Sequence, residues 1–155
     1  MTDSAHTVPS DQQVLITRIF DAPREQVFAA WTDPDQVAEW YGPAHFDTPR
    51  DGVLIEPRVG GRYELTMVQR DTGAEHALRY EIVELVEPEL IVLRCGPMPE
   101  IGLPDGTVTR IELHDHGPKT RMTLSDGPYP EPGAGHAEAG WHAAFDKLAR
   151  LVATG

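Results

Sequence analysis

Val14 to Phe20 alternates apolar and polar residues and is rich in β-branched side chains, which predicts a strand. It stops at Asp21-Ala22-Pro23, where Asp21 is expected to cap a helix and Pro23 suits the first turn. The period then changes. Val27, Phe28 and Trp31 fall at i, i+1 and i+4 and make one buried helical stripe. Thr32-Asp33-Pro34 closes that helix and opens a second, capped by Asp33, which presents Val37 and Trp40 and ends at Gly42-Pro43.

Beyond Pro43 the period of two returns. Strands are expected over Phe46 to Pro57, Arg62 to Gln69, His76 to Leu85, Leu90 to Cys95, Thr107 to His114 and Thr120 to Ser125. Gly60-Gly61, Asp71-Thr72-Gly73, Pro88-Glu89 and Asp115-His116-Gly117-Pro118 punctuate them as turns, and the hairpin-length breaks imply an antiparallel meander. Gly96 to Gly106 and the Pro- and Gly-rich Gly127 to Gly135 read as loops. Helical spacing returns after Pro132, and Gly140-Trp141 opens an amphipathic helix that carries Phe145, Leu148, Leu151 and Val152. The pattern predicts an α+β domain in which a sheet wraps one long helix, a shape that leaves a cavity.

Alternation assigns the inner face of that sheet. Tyr63, Leu65 and Met67 share one side of their strand, with Arg62, Glu64 and Thr66 on the other. His76, Leu78, Tyr80 and Ile82 oppose Arg79 and Glu81; Thr109, Ile111 and Leu113 oppose Arg110 and Glu112; Thr120, Met122 and Leu124 oppose Arg121 and Thr123. On the last helix Trp141, Ala144, Phe145 and Leu148 form the stripe that should face the sheet. Each large buried side chain contributes roughly 1.5–3 kcal/mol, reason enough for most of them. The polar members tell more: Tyr63, His76, Tyr80 and Thr109 each need a hydrogen-bond partner when buried, and in a ligand pocket water or ligand supplies it. Trp40, Tyr41 and Phe46 are expected where the short helices meet the sheet, as an end plug or an aromatic wall.

Length and composition fit one soluble domain, expected over 13–153, with 1–12 as a flexible polar tail. The formal net charge of -12 argues against nucleic acid and anionic membrane surfaces as partners. No run approaches the about 18 apolar residues of a spanning helix, the first residues form no secretory signal, and Cys95 is the only cysteine; a cytoplasmic setting follows.

Specific chemistry is sparse. His114-Asp115-His116 has chelating spacing on a strand but sits at a turn and lacks further ligands, so no metal is expected. His136 and His142 do not share a face, and Glu138 with His142 makes an i, i+4 contact. Gly133-Ala134-Gly135 has the wrong spacing for a nucleotide loop. Cys95 at a strand end reads as a small buried hydrophobe. No serine lies in a nucleophile elbow, and no acid/base pair stands out, since most carboxylates fall on outward faces or turns.

Five segments carry a family resemblance: Phe20-Asp21-Ala22-Pro23; Val27-Phe28-Ala29-Ala30-Trp31-Thr32-Asp33-Pro34; Trp40-Tyr41-Gly42-Pro43; Gly60-Gly61-Arg62-Tyr63 leading to Met67; and Gly140-Trp141 with Asp146, Leu148 and Leu151. In this order and spacing, from about Val14 to Val152, the chain resembles the AHSA-type family of activators of heat-shock-protein-90 ATPase, within the START-like (SRPBCC) superfamily. The resemblance implies a helix-grip fold, a curved antiparallel sheet around a long C-terminal helix with two short helices at one end. It also implies a pocket for apolar or amphipathic small molecules, but no single reaction.

The leading expectation is a ligand-binding protein without cofactor or catalytic constellation, taking a hydrophobic or aromatic small molecule. Trp40, Phe46, Tyr63, Leu65, Met67, His76, Leu78, Tyr80, Thr109, Ile111, Met122, Trp141 and Phe145 are the expected ligand contacts. The alternative is a polyketide-type cyclase, dehydratase or hydrolase with His76 or Tyr80 as acid/base. A chaperone-associated interaction protein ranks last, because the chain has no second domain to grip a chaperone. Homodimerisation through sheet edges stays open.

Overall fold

The computed structural model describes residues 13–97, 106–129 and 133–154. The tail expected over 1–12 and the middle of the Gly96–Gly106 loop lie outside them. Strand β1 (Val14–Phe20) leads into helices α1 (Arg24–Thr32) and α2 (Pro34–Trp40). The short strands β2 (Phe46–Asp47) and β3 (Leu54–Ile55) follow, then β4 (Arg62–Gln69), β5 (Glu75–Val86), β6 (Leu90–Cys95), β7 (Thr107–His116), β8 (Lys119–Gly127) and the long helix α3 (Gly133–Thr154). All strand pairs are antiparallel, in the order β1-β8-β7-β6-β5-β4-β2, with β3 also on β4. The sheet curls around α3, with α1 and α2 across one end. This is the expected α+β helix-grip fold.

Local chemistry accounts for the joints. Asp33 serves two helices: its backbone N–H closes α1 on Ala29 O (2.8 Å), and its carboxylate accepts from the Asp35 N–H as N-cap of α2. Asp21 does not cap α1. Pro23 occupies that position and makes no side-chain cap bond.

Two elements differ most from the pattern, while β7 and β8 run on to His116 and Gly127. The strand expected over Phe46 to Pro57 is broken into β2 and β3 by a turn of 3-10 helix at Arg50–Gly52, because Pro49 cannot donate to a ladder and its carbonyl instead accepts from Gly52 N–H. Helix α3 begins at Gly133, about two turns before Trp141, so Trp141 sits well inside it.

The core is aromatic where the helices meet. Trp31 lies 4.7 Å from Trp40 and 6.0 Å from Trp141 between ring centroids, and Trp141 stacks on Phe145 at 5.4 Å. Polar ties anchor the frame around it. Trp40 Nε1 donates to Ala30 O (2.8 Å), Gln26 Nε2 to Val152 O (2.8 Å) and Arg18 Nη2 to Asp146 Oδ1 (2.7 Å). Among the described residues no helix is long and apolar enough to cross a membrane.

Candidate functional site: a cavity backed by a buried carboxylate

The inner face of β4 and β5, the Tyr41–Pro43 segment after α2 and the first turns of α3 line a cavity of about 200 Å³ that opens to solvent. Its rings are Tyr41, Tyr80, Tyr129 and Trp141. Met67, Leu78, Ala137 and Ala144 supply the aliphatic wall, and Gly42, Pro43 and Gly140 bring backbone close. His136, exposed on the first turns of α3, marks the side open to solvent. Gly42 needs its missing side chain: its φ is +103°, and a Cβ there would stand 3.3 Å from Met67 Sδ.

Two hydrogen-bonded groups give the cavity its polarity. The Tyr41 and Tyr80 hydroxyls lie 3.2 Å apart. Burial, with smaller contributions from nearby groups, pushes both phenols well above their ordinary 10.0, so they stay protonated as donors and acceptors. The second group is Asp126, 1% exposed near the end of β8. Its Oδ1 accepts from Thr109 Oγ1 (2.7 Å), and its Oδ2 accepts from Tyr129 OH (2.6 Å) and Trp141 Nε1 (2.8 Å). Register explains the first bond, since Asp126 and Thr109 are cross-strand partners in β7–β8. Burial raises the Asp126 carboxyl, against the pull of its three hydrogen bonds. Tyr129 and Trp141 both line the cavity, so the carboxylate stands directly behind its wall.

The model of the family described as Activator of Hsp90 ATPase homolog 1-like protein matches residues 21–153. The chain belongs to this family. Like other AHSA1-like chains it has a START-like architecture, at family level a ligand-binding scaffold. A crystal structure of a protein from Chromobacterium violaceum is 28% identical, covers 91% of this chain and 96% of its own, and superposes with a TM-score of 0.82. The AHSA1 protein from Silicibacter pomeroyi (19% identity, 92% and 98% coverage, TM-score 0.78) and a protein from Arthrobacter aurescens (22%, 96% and 90%, TM-score 0.79) share the fold. No curated protein matches the chain.

Within this AHSA1-like frame the structure sorts the expected contact residues. Met67, Leu78, Tyr80 and Trp141 line the cavity together. Leu65, Ile111, Met122 and Phe145 are buried in the core and do not line it. Trp40 and Tyr63 are also core residues, with partners supplied by the protein: Trp40 donates to Ala30 O, and Tyr63 OH to Trp31 O at 2.6 Å. Thr109 spends its hydroxyl on Asp126.

His76 and Phe46 lie off the site. Tyr80, opposite Cys95, is the last β5 residue paired to β6, so His76 stands on an overhanging hairpin, exposed, its ring 5.6 Å from Phe46. Of the two residues considered as acid/base for an enzyme, Tyr80 lines the cavity and His76 does not. Asp126, the buried carboxylate behind the wall, is not among the expected contacts, although the pattern contains its signal. Thr120, Met122 and Leu124 point inward, and the same period of two continues to Asp126. Ending the strand at Ser125 hid it.

Proposed function

We propose that this protein binds one small molecule about the size of a single substituted ring in the cavity under the first turns of α3. The observation that carries the reading is the cavity itself: about 200 Å³, walled by aromatic and aliphatic side chains, with the Tyr41–Tyr80 hydroxyl pair as its polar feature. An apolar space of roughly 150 Å³ holds benzene, and drug-sized ligands take about 300–1,000 Å³. The size favours a monocyclic ligand over a lipid chain or a polyketide. The apolar body would rest on Met67, Leu78 and Ala144, and a polar substituent would exchange hydrogen bonds with Tyr80.

Titration calorimetry and protein NMR with a panel of single-ring and short branched compounds test the reading. Binding should shift the Trp141 indole resonance. Ala137→Phe, which fills the cavity from its partly exposed wall, should abolish binding while the circular dichroism spectrum stays unchanged. Unaltered binding in that variant, or no binding by any compound of this size, overturns the proposal.

A further inference from the structure

We propose that the ligand of this cavity is an organic cation of the alkylated ammonium class, held by the aromatic wall and by the charge of Asp126 behind it. The inference rests on the binding function proposed above and assigns its ligand class. Three observations carry it.

The first is the wall. Tyr41, Tyr80, Tyr129 and Trp141 place four rings around one small space, and electron-rich rings attract cations, most strongly once water is excluded. The second is Asp126. Its carboxylate is buried and receives three donors, one of which, the Trp141 indole N–H, can only donate. Among the described residues no lysine, arginine or histidine pairs with it. Buried charges in proteins are ordinarily paired. Here the space beside the charge is the cavity, so a bound cation would complete the pair across Tyr129 and Trp141.

The third observation is what the wall lacks. The described lining holds no lysine, arginine or carboxylate, and its hydroxyls are confined to tyrosines. A primary ammonium with three N–H donors would leave most of them unmet. An alkylated ammonium spreads its charge over methyl groups that need no acceptors, and it matches an apolar, aromatic surface. His136 at the mouth is exposed to solvent, which screens its effect on the interior.

The test compares choline with its uncharged carbon isostere, 3,3-dimethyl-1-butanol, by titration against the full chain. Choline should bind at least roughly tenfold more tightly, the scale of a desolvated cation–aromatic contact. In Asp126→Asn the ratio of the two affinities should fall towards one. The preference of the wild type is read first, so the test does not depend on Asp126→Asn folding. Equal binding of the two probes by the wild type overturns the charge assignment and leaves the binding function standing. So does a preference that survives in folded Asp126→Asn. If neither these probes nor the neutral ring compounds bind, both readings fall.

Discussion

The indole N–H of Trp141 donates to Asp126 Oδ2 over 2.8 Å, tying the long helix to the last strand through a buried carboxylate. Asp126→Leu would strand the buried donors of Thr109 and Trp141, each costing roughly 1–3 kcal/mol when unpaired, and free the half-buried Tyr129 hydroxyl, while relieving the cost of a buried charge. The two buried donors outweigh the charge because they remain enclosed. The expected outcome is a net loss of about 2 kcal/mol or more in urea unfolding. Trp141→Phe removes one donor and should cost less. In a double-mutant cycle the two substitutions should couple by at least about 0.5 kcal/mol; additive effects would show that the contact contributes nothing.

The same carboxylate sets a pH dependence. Burial raises the Asp126 carboxyl from its ordinary 3.8, so the folded protein holds that proton more tightly than the unfolded chain. Its contribution to stability is full below the unfolded value and is lost as pH rises through the folded value. Glu56, Glu112 and Asp146, all lowered, act in the opposite direction, but they are present in wild type and variant alike. Between about pH 7 and about pH 4 the melting temperature of the wild type should therefore gain on that of Asp126→Asn. A constant difference across that range would mean that burial does not perturb the group.

Tyr63 separates core from site. Its hydroxyl donates to Trp31 O at 2.6 Å and does not reach the cavity. Tyr63→Phe should lose about 1–2 kcal/mol of stability, the cost of one unpaired buried carbonyl. Ligand affinity should be unchanged. A fall in affinity at constant stability would return Tyr63 to the site.

Much of this arrangement could be read from residue order, and the failures have physical causes. The period of two placed Met67, Leu78 and Tyr80 on one inner surface, and the helical stripe placed Trp141 opposite them. His76 has the same parity but a different fate, because parity says nothing about where the neighbouring strand stops. Tyr63 and Thr109 were candidates for ligand contact because their partners are invisible along the chain: Trp31 O comes from a helix end and Asp126 from a strand paired by register. The early turns of α3 were obscured by Gly133, Gly135 and Gly140. Glycine is a weak helix former, yet α3 runs through all three.

Gly42 offers a backbone test. Gly73→Ala, at a φ of +74° with nothing within 4 Å, reports the cost of a left-handed conformation alone, about 1–2 kcal/mol. Gly42→Ala, at +103° with Met67 Sδ 3.3 Å from the new Cβ, should cost more and should also weaken ligand binding by displacing Met67. Equal losses in thermal unfolding and unchanged affinity would show that Met67 gives way freely.

Asp126 has one more consequence, for folding rather than for binding. Apart from it, the inner positions of β8 run Thr120, Met122, Leu124, and those of β7 run Thr107, Thr109, Ile111, Leu113. Two such strands could slide past one another by two residues and still bury apolar against apolar. A slide of that size would carry the carboxylate away from the Thr109 hydroxyl and the Trp141 indole and leave an ion in oil. One acidic residue thus weighs against slipped pairings, and part of the alignment of the sheet is written in a charge that the hydrophobic pattern alone does not contain.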